Sequence, residues 1–277
     1  STSFRTAGVM LYGAPADGRL VAANRDQAHA FRRAVALLPQ PPEIVELPYD
    51  DTTLPGYWFE PAGAAAPGPV IVLTGGYDGT AEELYSFTGA AALEHGYRVL
   101  CFDGPGQGAA LLQQGLVLRP DWEHVIGQVL DWVIAQPGTD PDRIALVGLS
   151  LGGHLAPRAA GWALRRGQLV HGVGSPIDYL ADLAPYTLAG RAGSITCPTF
   201  VNNAEDDDIG ASAPELVAAL TAPHEFVTFT RADGAADHCE VSNRRAYHAR
   251  LFAWLDPLLH PTLPEEPAPG PAYPRLP

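Results

Sequence analysis

Short apolar runs alternate with longer amphipathic ones through the middle of the chain. Segments 70–74 (VIVLT), 98–102 (RVLCF), 143–147 (RIALV) and 198–202 (PTFVN) are bounded by Gly, Pro or Asp. Such runs are too short for helices and read as buried strands. Between and around them, segments 22–38, 81–95, 122–136, 153–164, 214–220 and 243–259 space their apolar residues as helices do. Pro39-Gln40-Pro41-Pro42 stops the first helix. Segments 44–49 and 56–60 pair across an Asp-Asp-Thr-Thr turn as an antiparallel hairpin. Segments 168–173 and 225–230 add two further strands, and 61–69 is a Gly/Ala/Pro loop.

Two antiparallel strands followed by repeated strand–helix units predict an α/β fold. Its central sheet is mostly parallel and carries helices on both faces. Ligands bind such sheets beyond the carboxyl ends of the strands. The chain divides into an N-terminal helical segment (1–42), an α/β domain (43–260) and a Pro-rich tail (261–277) that trails over the surface.

Composition narrows the function classes. A chain of 277 residues suits one large α/β domain, and 47% hydrophobic content supplies its core. A net charge of −14 excludes nucleic acid and anionic membrane as partners. There is no lysine, so Schiff-base and Ser-Lys chemistry are excluded. Cys101, Cys197 and Cys239 are too scattered for a disulfide framework or a zinc site, and no metal or cofactor is expected. No leader-like or membrane-length apolar run appears, so a cytoplasmic protein is expected. A small-molecule carbonyl substrate is the expected partner, and a homodimer is compatible with the sequence.

Candidate chemistry gathers at the strand ends. Gly148-Leu149-Ser150-Leu151-Gly152 follows one strand and opens a helix. A G-x-S-x-G turn in that setting exposes the serine hydroxyl above the sheet as a nucleophile. The hydroxyl needs a base, and the base an orienting acid, here in the chain order Ser, acid, His. The acid comes from Glu205-Asp206-Asp207-Asp208-Ile209; Asp207 aligns best, with Asp206 and Asp208 as alternatives. His238 lies between the last strand and the last helix, where the base belongs. The remaining histidines, His154 and His171 among them, read as surface or packing residues. Oxyanion donors are expected from the Leu151 N–H at the helix start and from Gly76 or Tyr77 in the loop after 70–74. The loop FDGPGQG (102–108) contains Pro105 and lacks a following Lys-Ser/Thr, so it reads as a shaped loop rather than a phosphate cradle.

The strings GGYDGTAEE (75–83), FDGPGQG (102–108), RPDWE (119–123), GLSLGGHLAPRAA (148–160), ITCPT (195–199) and GAADHCE (234–240) resemble the α/β-hydrolases. Within them they are similar to the FrsA-like esterase group, which takes in 2,6-dihydroxypseudooxynicotine hydrolase and fungal polyketide-shortening hydrolases. The resemblance covers about residues 20–260. It implies an α/β-hydrolase fold with a small helical cap and a triad of Ser150, Asp207 and His238. It also implies cleavage of esters or of carbon–carbon bonds in β-diketone-like substrates. Acyl transfer or cyclisation with the same triad, and a non-catalytic binding role, are the alternatives. Asp78 occupies the position of a group acid, here shorter than the usual glutamate. It is expected either to line the cleft as a substrate-binding or catalytic residue, or to cap the helix beginning near 81. Glu82 and Glu83 fit that helix's first turn. The cap, near 165–192, is short or incomplete, and a break or unusual path is expected between 158 and 176.

Overall fold

The computed structural model describes residues 2–9, 11, 17–64, 67–150, 168–183, 185, 186, 188, 190–208 and 210–260. Helices α1 (Thr2–Val9) and α2 (Gly18–Val35) open the chain. Asp17 caps α2 by accepting the Arg19 N–H at 2.8 Å. Strands β1 (Glu43–Tyr49) and β2 (Thr52–Phe59) form the expected hairpin. Tyr49 pairs with Thr52, so the turn is shorter than the sequence suggested, with Asp50 at φ +43°.

Next come β3 (Gly68–Thr74), α3 (Ala81–Leu84), a π-helical turn (Tyr85–Gly89), α4 (Ala90–Glu94) and β4 (Arg98–Phe102). The helix expected over 81–95 is thus interrupted by the π turn. Short α5 (Gly108–Leu112), α6 (Trp122–Ile134) and β5 (Thr139–Gly148) follow. Residues 168–171 are helical, not the expected strand. Their apolar pair, Leu169 and Val170, packs with Leu111 and Leu118 instead of joining a sheet. Helix α7 (Pro176–Asp182), capped by Ser175, falls within the span of the expected cap. The chain then runs through β6 (Thr199–Ala204), α8 (Ala213–Ala219), β7 (His224–Phe229), a 3₁₀ turn (His238–Asn243) and α9 (Arg244–Leu259).

The main sheet has the order β1-β2-β4-β3-β5, with β4, β3 and β5 parallel and β1 and β2 antiparallel. Among the described residues, β6 and β7 pair in parallel as a second, separate sheet. The strand interiors are apolar because both faces are covered. On one side Tyr57, Phe59, Ile71, Leu73, Val99 and Cys101 meet α2, α3, α4 and α9. On the other, Trp58, Val70, Val72, Leu100 and Phe102 meet Val125, Val129 and Val133 of α6. Successive residues therefore serve opposite faces, as a strand's two-residue period requires. Each large aliphatic side chain so buried contributes roughly 1.5–3 kcal/mol. No described helix is long and apolar enough to cross a membrane. The expected elbow helix, the tail and most of 158–176 fall outside the described residues.

Candidate active site

Ser150 follows β5 with φ +57°, a left-handed conformation unusual for any residue but glycine. That backbone turn is the strain expected of a G-x-S-x-G elbow. Gly76 lies against it: a Cβ added there would fall 2.7 Å from Ser150 Cβ and 3.1 Å from Oγ. Only glycine allows the loop after β3 to approach the serine this closely.

The loop is held from behind. Gln107 Nε2 donates to Gly75 O at 2.7 Å and to Gly76 O at 3.3 Å, while Gln107 Oε1 accepts the Gly104 N–H at 3.0 Å. The FDGPGQG segment thus acts through one amide side chain. Its one acid, Asp103, is buried and receives two N–H bonds of 2.7 Å, from Ala81 at the start of α3 and from Ala109 in α5. Burial, followed by the charge of nearby Glu82, holds its carboxyl well above the usual range, against the pull of both N–H groups. Glu82 is itself buried and receives the Tyr57 hydroxyl at 2.8 Å.

The acid and base loops are tied together by the Asp206 N–H donating to Ala236 O at 2.8 Å. Glu205 and Asp206 turn outward to Arg231, and Asp208 is exposed. Asp207 turns inward, with a side chain 9% exposed, and its Oδ2 lies 2.9 Å from His238 Nδ1. His238 Nε2 lies 2.8 Å from Ser150 Oγ. The three residues therefore form one hydrogen-bonded line. His238 is pushed up to about 9, first by its contact with Cys239 and then by Asp207, with burial opposing.

Two residues near this line escaped the sequence reading. Cys239 and Glu240 both have positive φ, which folds Glu240 under the base loop. There it is buried, accepts Asn202 Nδ2 at 2.8 Å, and is raised to about 7 mainly by burial. The consecutive left-handed residues that cause this have no sequence signature.

Of the two expectations for Asp78, the capping one is overturned. Asp78 does not cap α3, whose N-cap is Thr80 and whose Ala81 N–H goes to Asp103. Instead Arg5 of α1 bonds Asp78 Oδ2 at 2.8 Å and Glu83 Oε2 at 2.7 Å. The carboxylate faces a cavity lined by Arg5, Gly8, Asn24, Gln27 and Thr80, on the side of the N-terminal helices. Glu83 is raised, chiefly by burial. Tyr77 follows Gly76 in the same loop, and its ring centroid lies 5.9 Å from that of His171. Leu151 falls outside the described residues. Among the described residues, no cluster of His, Cys, Asp and Glu could hold a metal ion.

The sequence pattern of the alpha/beta hydrolase family matches residues 70–277. Hydrolase LUC6 of a Fusarium species is 31% identical over 92% of this chain and 78% of its own length. The 20-hydroxy-prefusarin hydrolase FUS2 of Gibberella moniliformis is 31% identical over 91% of this chain and 78% of its own. The crystal structure of 2,6-dihydroxy-pseudo-oxynicotine hydrolase superimposes with a TM-score of 0.78 at 22% identity, covering 96% of this chain and 84% of that one. The sheet, the strained serine turn and these likenesses agree: the chain belongs to the alpha/beta hydrolase family.

Proposed function

We propose that this hydrolase cleaves a carbon–carbon bond of a β-diketone-like substrate, or an ester, through an acyl-enzyme on Ser150. The observation that carries the reading is the line Ser150 Oγ–His238 Nε2, 2.8 Å, and His238 Nδ1–Asp207 Oδ2, 2.9 Å. Asp207 accepts a hydrogen bond from Nδ1–H, which leaves the Nε2 lone pair facing the serine hydroxyl. As Oγ bonds to the substrate carbonyl carbon, its proton moves to Nε2. The carbonyl oxygen becomes an oxyanion beside the Gly76–Tyr77 backbone, with the Leu151 N–H as the second donor. The tetrahedral adduct then expels an enolate or an alkoxide, which takes the proton from His238. Water, deprotonated by the same ring, releases the acid and restores Ser150. Asp78, paired with Arg5, serves to anchor the loop rather than to move a proton. The relative that acts on 20-hydroxy-prefusarin supports a secondary-metabolite, polyketide-like carbonyl substrate.

Ser150→Ala is expected to lower kcat by roughly 10³-fold or more while the fold survives. A fluorophosphonate should label the native protein at Ser150 and not the variant. Near-native turnover in the variant, or labelling elsewhere, would sink the reading.

A further inference from the structure

A second histidine–aspartate pair adjoins the proposed site, in the segment between β5 and β6. The His171 side chain is 0% exposed, and its Nδ1 lies 2.5 Å from Asp182 Oδ2 at the end of α7. Three tyrosine rings surround it, with centroids 5.9 Å away for Tyr77, 5.0 Å for Tyr179 and 5.1 Å for Tyr186. Tyr77 is the neighbour of Gly76, which touches Ser150. The segment is also tied to the loops around the site, since the Leu118 N–H donates to Val170 O at 2.7 Å.

The far side of the imidazole is unusual. His171 Nε2 and the Tyr186 hydroxyl are both buried, and neither has a hydrogen-bond partner among the described residues. Buried polar atoms are rarely left so. Asp182 can only accept, so Nδ1 carries the proton and Nε2 presents a lone pair. Burial holds the ring below its ordinary value, against Asp182, which keeps it neutral and an acceptor. A sealed lone pair between aromatic walls suits a flat ligand that brings a hydroxyl donor.

We propose that His171 is a specificity-determining residue whose Nε2 accepts a hydrogen bond from a phenol-like or enol hydroxyl of the substrate, with Asp182 positioning the ring. Tyr186, whose hydroxyl makes no hydrogen bond among the described residues, is the ring that turns aside to admit the ligand. That this ligand is the substrate rests on the Ser150 reading; that the subsite takes hydroxyl donors does not.

The test uses phenol and toluene, matched in size and lacking a carbonyl, titrated into the full chain and followed by the His171 ring signals and by affinity. Phenol is expected to bind roughly tenfold more tightly than toluene and to move the His171 signals in both wild type and Ser150→Ala. His171→Phe should abolish the preference while toluene binding is kept. Asp182→Asn, at a side chain 44% exposed and therefore tolerant, should reduce the preference a few-fold. No preference in wild type, or a preference that survives His171→Phe, would overturn the proposal. Equal weakening of both ligands in Asp182→Asn would overturn it too, since it would mean packing alone. If phenol binds as expected but Ser150 is never labelled by a fluorophosphonate, the mechanism falls and the subsite stands. If Ser150 is labelled and phenol shows no preference, the subsite falls alone.

Discussion

His238 and His171 each hold Nδ1 against an aspartate, yet their settings push them in opposite directions. The His238 side chain is 37% exposed and keeps contact with Cys239 and Asp207, so its proton affinity rises. The His171 side chain is fully enclosed, and burial lowers its affinity although Asp182 sits 2.5 Å away. The far nitrogens differ as well. One faces Ser150 Oγ at 2.8 Å, and the other has no partner among the described residues. A carboxylate beside an imidazole therefore does not by itself make a catalytic base. Desolvation decides whether the ring can hold charge, and the group opposite Nε2 decides whether that charge has work to do.

The comparison breaks most sharply under paired removal of the two carboxylates. Asp207→Asn should cost on the order of 10³-fold or more in kcat by freeing the His238 tautomer. Asp182→Asn should leave kcat within a few-fold on a substrate without a hydroxyl. Steady-state kinetics of both variants check this, and similar losses would erase the distinction.

The next difference is one of titration. An imidazole accepts a proton only when neutral, and the affinity of His238, the proposed base, is raised, so kcat/KM should fall as pH drops below about 9. Cys239→Ala removes the largest contributor, so the acid limb should move to lower pH. His171, held below its ordinary value by burial, should titrate at lower pH than His238. Ring resonances followed by NMR across pH 5–10 would separate the two, and a common midpoint would contradict the assignment.

The smallest effect concerns Asp78. Asp78→Asn weakens the Arg5 contact, and equal losses of a few-fold on a β-diketone and on a simple aryl ester are expected. A loss confined to the diketone would instead make Asp78 a participant in carbon–carbon cleavage.

Much of this architecture was legible from residues alone. β3 and β4 are buried along their whole length because helices cover both faces, and a nearly continuous apolar run between turn residues reports that. The Ser150 turn and the placement of His238 follow from strand and helix boundaries. Asp207 could be ranked above its neighbours only by alignment, since what separates the carboxylates is Arg231 drawing Glu205 and Asp206 outward. The turn at 168–171 was misjudged because Leu169-Val170 is too short to show a period. Element α5 carries no sequence signal for the same reason. Gln107, Asp103, Glu240 and His171 act through contacts between distant loops, and nothing local in their sequence surroundings announces such contacts.

One feature of the β3 loop bears on how this scaffold diversifies. Gln107 grips the carbonyl oxygens of Gly75 and Gly76 and no side chain of the loop. The pose of the backbone next to Ser150 is therefore set by an amide carried on a different strand's loop. Position 77 follows that pose directly, while Asp78 adds a tie of its own through Arg5. Selection can rewrite what the loop shows to an incoming molecule without retuning how it meets the reacting carbonyl.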